Sequence, residues 1–177
     1  MCMIEVSPTI ETRRLALRAP VIEDAPRIAA LLNDLDVARM TARMPHPYTS
    51  ADAEDFVVRA MAADPRTERV FLIELEDQGV VGNLHFFPSA EGYAEVGYSV
   101  GKAWWGRGIA TEALQGGLAW AGREWRKRMI IAGHFADNPA SGGVLVKAGF
   151  LYTGEVRQLA SRARGGTAPS RMMVWLA

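Results

Sequence analysis

Apolar and polar positions along the chain fall into short blocks whose period changes from one block to the next. From Arg14 to Arg18, Leu15 and Leu17 alternate with Arg14, Ala16 and Arg18, a period of two that predicts a first strand. Over Glu23 to Leu35 the spacing lengthens, and Ile22, Ile28, Ala29, Leu31, Leu32 and Leu35 recur as they would on one side of a helix. A second helix is predicted from Ser50, a good N-cap, with Glu54 in the first turn and Phe56, Val57, Ala60 and Met61 as its apolar stripe. The intervening Met44-Pro45-His46-Pro47-Tyr48 must be loop, because each proline lacks an N–H and restricts the residue before it. Arg69–Glu76 and Val80–Phe87 read as strands joined around Asp77-Gln78-Gly79, and Tyr93–Val100 follows the turn Pro88 to Gly92. The faces of this third strand differ: Ala94, Val96, Tyr98 and Val100 on one, Tyr93, Glu95, Gly97 and Ser99 on the other.

Ala110, Leu114, Leu118, Ala121 and Trp125 then repeat every three or four residues and mark a helix with one buried stripe. Met129–Phe135 is a further strand. Asn138-Pro139 opens a short helix, Asn138 as N-cap and Pro139 in the first position, which Gly149 ends. Phe150–Val156 and Ser170–Leu176 close the pattern as a pair of strands, with Ala160 to Pro169, rich in Arg, Gly and Ser, as a mobile loop between them. The order βααβββαβαββ predicts an α/β fold, a mixed sheet with helices on its faces. A chain of 177 residues is expected to form one domain with a real core.

Charge narrows the function classes. The formal net charge is zero, so no global field draws the chain to nucleic acid or to a membrane surface. Arg123, Arg126, Lys127 and Arg128 crowd the end of the long helix, where positive charge suits the dipole. Cys2 is the single cysteine, which excludes an internal disulfide and a cysteine-rich metal site and fits a reducing, cytoplasmic compartment. No apolar run of about 18 residues is present, so no membrane span is expected. Met1 to Arg14 lacks the apolar core of a signal peptide. Three histidines, with His46 in the proline loop, give poor support for a metal site.

The most informative stretch is Trp104-Trp105-Gly106-Arg107-Gly108-Ile109-Ala110-Thr111-Glu112-Ala113-Leu114. Strand, glycine turn and helix start, in that order, present backbone N–H groups and a positive helix end to an anion. Gly106 and Gly108 can take positive φ and let a ligand approach the backbone. A phosphate-bearing ligand is therefore expected at residues 106 to 111. Gly106-Arg107-Gly108 also begins a G-x-G-x-x-G-like string, which keeps a nucleotide-dependent oxidoreductase as a rival. The string fails at Thr111 and lies mid-chain rather than in a first βα turn. No G-K-[ST] follows, which excludes a P-loop kinase.

These residues resemble the GNAT acetyltransferases, specifically the Rim-type branch that acetylates ribosomal-protein N-termini. The family's Q/R-x-x-G-x-G/A motif aligns with Trp105-Gly106-Arg107-Gly108-Ile109-Ala110. Tryptophan at its first position removes one side-chain donor and leaves the backbone cradle. Thr12-Arg13-Arg14-Leu15-Ala16-Leu17-Arg18 is similar to the branch's opening strand, and Asp137-Asn138-Pro139-Ala140-Ser141 with Val144, Lys147, Gly149 and Phe150 to its second signature. The resemblance spans roughly residues 10 to 176 and implies a GNAT-like acyl-CoA N-acyltransferase fold in which Tyr93–Val100 and Met129–Phe135 run parallel and splay apart. It implies acetyl-CoA as co-substrate, no metal, the pantetheine arm in the splay and the pyrophosphate on the N–H groups of Arg107 to Ala110. Cofactor contacts are then expected at Tyr98, Ser99, Val100, Trp105, Gly106, Arg107, Gly108, Ile109, Ala110, Thr111, Asn138, Ser141 and Lys147.

Acetyl transfer from a thioester to an amine needs a neutral amine, a donor for the oxyanion and a proton for the leaving thiolate. An α-amine with pKa near 8 is about 10% neutral at pH 7, a lysine only about 0.04%. A peptide N-terminus therefore needs less help from a base. By the resemblance Ser141 protonates the thiolate; read alone, it is a first-turn serine serving local N–H groups. Asn138 contacts the pantetheine arm, caps the helix, or does both through different atoms. Glu95 is a base or an exposed strand carboxylate. His85, on the strand face of Asn83, and His134, just ahead of the Asn138 turn, suit base work or a structural hydrogen bond. Trp104, Trp105, Phe86 and Phe87 are expected in the core. The resemblance makes Thr41 to Thr49 and Leu159 to Ser170 walls of the acceptor groove, where Arg43, Arg162 and Arg164 meet an acidic acceptor or solvate a loop. The expected activity is N-acetylation of a primary amine, a peptide α-amine or a small molecule, by direct attack in a ternary complex of a monomer or homodimer, with no nucleic-acid or membrane partner. A non-catalytic acyl-CoA sensor would keep Gly106, Gly108 and Asn138 but need neither Ser141 nor Glu95.

Overall fold

In the computed structural model, which describes residues 8–177, the alternating blocks become one eight-stranded sheet. The strands are β1 (Ile10–Glu11), β2 (Leu15–Arg18), β3 (Arg69–Leu75), β4 (Gly79–Pro88), β5 (Ala94–Val100), β6 (Met129–Phe135), β7 (Leu151–Ser161) and β8 (Gly166–Leu176). They lie in the order β1-β2-β3-β4-β5-β6-β8-β7. Neighbours run antiparallel except β5 and β6, which are parallel and pair only through Ala94↔Ile130 and Glu95↔Ile131. Past Glu95 the two strands part. β5 stays on β4 through Gly82↔Val100, and β6 stays on β8 through Phe135↔Ser170, so each outer partner draws its strand away from the other. The sheet thus holds a fork with Glu95 at its crotch.

Helices α4 (Ile109–Arg123) and α5 (Pro139–Lys147) cover one face, and α1 (Ala25–Leu32) and α3 (Ser50–Ala62) the other. Period two in β3 sorts the two cores: Phe71 and Ile73 pack with the α4 side, Leu72 with the α1 and α3 side. Trp120 of α4 meets Phe71 edge-on at 5.1 Å and stacks on Trp125 at 5.5 Å. At Gly117 a Cβ would stand 2.4 Å from Leu84 Cδ2, so this glycine lets helix and sheet approach closely. The basic run behaves as helix-end chemistry, with Arg123 Nε donating to Ala119 O and Lys127 Nζ lying 4.2 Å from the Trp125 ring.

Several expectations change. β1 is an added two-residue strand on β2. The helix expected over Glu23–Leu35 is instead a 3-10 turn (Ile22–Asp24), α1, and α2 (Leu35–Ala38), because Asp34 breaks the run and caps α2 by accepting the Asp36 N–H. Thr49, not Ser50, is the N-cap of α3: its Oγ1 accepts the Asp52 N–H, and the Asp52 carboxylate accepts the Thr49 N–H. Met61 is 63% exposed and leaves the apolar stripe. The loop expected over Ala160 to Pro169 is mostly hairpin, closed by Ser161↔Gly166, because Ser161, Ala168 and Ser170 point inward between exposed polar neighbours. Cys2 lies outside the described residues. No helix among the described residues is long and apolar enough to cross a membrane.

Candidate active site

The glycine turn sits beneath the open end of the fork. Gly106 and Gly108 have φ of 73° and 74°, which bends the chain from β5 into α4. Gly108 is the N-cap of α4 and brings no capping side chain, so the N–H groups of Ile109, Ala110 and Thr111 find no acceptor among the described residues. Arg107, Gly106 and Gly108 are exposed. The turn is braced from the first strands. Arg14 donates to Arg107 O at 3.1 Å, and Glu112 accepts from Arg14 Nε, the Arg14 N–H and Thr12 Oγ1 at 2.7, 2.7 and 2.8 Å. Burial alone would raise the Glu112 carboxyl; the Arg14 and Thr12 hydrogen bonds outweigh it and hold the pKa below its usual value. Glu112 was not singled out from sequence, since its partners lie about a hundred residues away.

Trp105 corrects an expectation. The residue is 46% exposed rather than in the core, and its indole N–H donates to Val100 O at 2.7 Å, tying the turn to the end of β5. Trp104 packs against both cores, and Phe86 is fully buried, as expected.

The other arm of the fork carries the Asn138 segment. Asn138 Oδ1 accepts the Ser141 N–H at 3.2 Å, and Pro139 opens α5. From β5, Tyr98 reaches across: its hydroxyl donates to Ser141 O at 3.0 Å and lies 2.8 Å from Ser141 Oγ. Burial pushes the Tyr98 phenol up to about 12, against a smaller opposing effect of the Ser141 hydrogen bond, so it keeps its proton at neutral pH. Asp137 forms a two-pronged pair with Arg164 at 2.8 and 2.9 Å, and Arg164 Nε also donates to Arg39 O. Arg164 is therefore committed to bracing the Asn138 turn. Lys147 lies exposed in the last turn of α5, its carbonyl accepting from Gln115.

His134 faces α5 and is buried. Its Nδ1 bonds Phe135 O at 2.9 Å and its Nε2 the Tyr152 hydroxyl at 3.0 Å. A carbonyl only accepts, so Nδ1 carries a hydrogen, and in that Nδ1–H tautomer Nε2 accepts from Tyr152. With both nitrogens engaged, this imidazole props the helix. At Gly142 a Cβ would meet His134 Nε2 at 2.8 Å and Tyr152 Oη at 2.9 Å. Gly142→Ala is therefore expected to overpack by more than the helix propensity it gains, lowering the melting temperature by about 2–6 °C. An unchanged melting curve would mean that the ring yields.

The opposite face of β4 and β5 carries a second polar group. Pairing sets Phe87 beside Glu95, His85 beside Gly97 and Asn83 beside Ser99. Burial raises the Glu95 carboxyl, with Arg43 and Arg157 pulling the other way. The Arg43 guanidinium lies 4.0 Å over the Phe87 ring, and Arg157 pairs with Glu91 at 2.8 Å. His85 Nε2 is 2.7 Å from Glu68 Oε1, and burial lowers the imidazole pKa despite Glu68. Ser99 Oγ is buried without a hydrogen-bond partner among the described residues. The β7–β8 turn docks on segment 39–44 through Ser161 Oγ to Thr41 O (2.8 Å) and Arg162 N–H to Ala42 O (3.0 Å), so the two expected walls meet. Among the described residues no three His, Cys, Asp or Glu side chains cluster as metal ligands would.

A family model described as an acetyltransferase (GNAT) domain matches residues 14–151. The chain is 31% identical over 111 residues to the uncharacterized N-acetyltransferase p20 of Bacillus licheniformis, a match covering 60% of this chain and 62% of that protein. It is 28% identical over 156 residues to the uncharacterized N-acetyltransferase YoaA of Bacillus subtilis, covering 85% and 87%. Among solved structures it is similar to the ribosomal L7/L12 alpha-N-protein acetyltransferase RimL in complex with coenzyme A, with TM-score 0.82, 21% identity and coverage of 96% and 98%.

Proposed function

Since the chain belongs to the GNAT acetyltransferase family, we propose that it moves acetyl from acetyl-CoA to the α-amine of a peptide N-terminus by direct attack in a ternary complex. The observation that carries this reading is the fork: parallel β5 and β6 pair at only two positions and then expose backbone groups to a third, strand-like ligand. The pantetheine arm suits that gap, with contacts from Tyr98, Ser99 and Val100 on one side and Asn138 and Ser141 on the other. The pyrophosphate suits the N–H groups at residues 107 to 111, where two positive-φ glycines keep side chains away. Trp105 and Lys147 flank the same ligand.

The two faces of the fork then divide the work. The amine approaches from the side of Glu95 and His85, where the carboxylate attracts an ammonium group. Once it has lost its extra proton to solvent, the neutral nitrogen attacks the thioester carbon and gives up one N–H proton on this face, the C–S bond breaks, and the thiolate leaves toward Ser141, which Tyr98 backs. An acyl-CoA sensor would use the gap and the glycines but has no need of a hydroxyl pair on one face and a carboxylate and imidazole on the other. The α-amine is favoured because far more of it is neutral at pH 7 than of a lysine. The name of the RimL neighbour supports the same class of acceptor.

Thiol release from acetyl-CoA, measured across peptides with different first residues, polyamines and free amino acids, tests this. Turnover is expected with one or more peptide N-termini and to disappear when the α-amine is blocked. Calorimetry showing NAD binding without acetyl-CoA binding would defeat the reading.

A further inference from the structure

Among the groups on the acceptor face, one arrangement has the geometry of an oriented base. Glu68, just before β3, holds His85 Nε2 at 2.7 Å. A carboxylate only accepts, so Nε2 carries the hydrogen and the lone pair of the neutral ring falls on Nδ1. Nδ1 makes no hydrogen bond among the described residues and is not closed off from solvent. The ring is fixed between Phe56, edge-on at 6.4 Å, and Phe87 at 5.0 Å. His134 has the opposite character, with both nitrogens engaged and the ring buried.

The second observation is what stands beside His85. Its partner on β5 is Gly97, within the parted stretch of the strand. Gly97 has no positive φ, and a Cβ there would meet only Phe87 Cε1, at an ordinary 3.6 Å. Neither backbone conformation nor packing calls for glycine. The missing side chain leaves open space between the imidazole and the gap.

We infer that His85, oriented by Glu68, accepts the proton of the acceptor amine over Gly97. The inference rests on the transferase reading above. As the C–N bond forms and the C–S bond breaks, the nitrogen's proton passes to Nδ1 and the thiolate takes one from the Ser141 hydroxyl. His85 then returns its proton to solvent, and Ser141 regains one from solvent through Tyr98. Glu95, at the crotch of the fork, draws in the amine. The charged groups facing the ring are Glu68 and Arg43; α3, β3 and β5 contribute Phe56, Val70 and Gly97. Burial lowers the His85 pKa, which leaves it neutral and ready at pH 7.

Three measurements on the full chain test the pair. Nitrogen-15 NMR of the histidine rings is expected to show His85 as the Nε2–H tautomer and His134 as the Nδ1–H tautomer; Nδ1–H at His85 overturns the proposal without any variant. His85→Gln is expected to lower kcat about 100-fold with little change in the KM for acetyl-CoA. Glu68→Gln is expected to lower kcat about tenfold and to move the acid limb of the pH profile further down, because a carboxylate favours the protonated ring, and Glu68→Asp to restore part of the loss. Glu95→Gln should leave that limb in place. Retention of more than half of kcat in His85→Gln, or an unmoved limb in Glu68→Gln, overturns the proposal. Absence of CoA release with every acceptor would defeat the transferase reading itself, whereas an active enzyme indifferent to His85 defeats only the pair.

Discussion

Gly108→Asp is expected to fold and to bind acetyl-CoA about 50-fold more weakly, while Gly108→Asn loses only a few-fold. The reasoning separates three effects. Sterically, a Cβ at this position meets only Arg14 Nη2 at 3.6 Å, so the new side chain fits. Conformationally, φ is 74°, a region where Asn and Asp are the best tolerated of the residues with a Cβ, so both variants carry a similar strain of order 1–3 kcal/mol. Only charge distinguishes them. A carboxylate at the head of α4 opposes a pyrophosphate charge taken at about 6 Å by roughly 3 kcal/mol at an effective dielectric near 20, and screening at an exposed turn halves this to about 1.4. That is about tenfold in affinity, and multiplied by the few-fold loss that the Asn variant shares it gives about 50-fold. Arg14 already serves Glu112 and Arg107 O and is not free to cancel the new charge. Calorimetry with acetyl-CoA reads the difference directly. Equal affinities for the Asp and Asn variants would show that no phosphate rests on this turn.

The features legible in the sequence are those encoded by neighbours. Leu15 and Leu17 alternate, Asn138 and Pro139 stand together, and Gly106 and Gly108 are two apart, so strand, cap and turn follow from local chemistry. The opposing faces of Tyr93–Val100 were also readable, because a period of two does not depend on which strand lies alongside; the pairing then placed Glu95, Gly97 and Ser99 on one face. The fork came from the family resemblance and not from periodicity.

What stayed hidden depends on partners distant in the chain or on competition within one turn. Thr12 and Arg14 meet Glu112 across about a hundred residues, and Glu68 meets His85 across 17. Nothing at Glu68 itself distinguishes it from a surface carboxylate. Trp105 has the composition of a core residue, yet its N–H finds Val100 O and its ring stays outside. Thr49 and Ser50 are both capable caps, and only the reciprocal bond with Asp52 selects Thr49. Polar residues between Ala160 and Pro169 suggested a loop because one face of that hairpin is solvated, and composition cannot tell a solvated strand face from a turn.

Ser141→Ala is expected to lower kcat by about 100-fold and to change the KM for acetyl-CoA by less than threefold, with Tyr98→Phe close behind. The 2.8 Å contact between the two hydroxyls makes them one proton path: the Tyr98 hydrogen rests on Ser141 O, and once Ser141 has given its proton to the thiolate the Tyr98 hydroxyl turns to the Ser141 oxygen and resupplies it. Residues that act as one path do not add, so the double variant should be no slower than the slower single variant. Multiplicative losses would mean that each hydroxyl acts alone, for instance one on the thiolate and one on the oxyanion. The pH dependence supplies an independent check. Burial has raised the Tyr98 phenol to about 12, so the group holds its proton more tightly folded than unfolded, and an alkaline loss of kcat through its ionisation belongs near that value. A Tyr98-dependent limb near the ordinary tyrosine value of about 10 would show that the hydroxyl is not sheltered in the working enzyme. The cycle is informative because each single change removes a hydroxyl and leaves the Asn138 cap in place: the Ser141 backbone N–H, not its side chain, is what Asn138 holds.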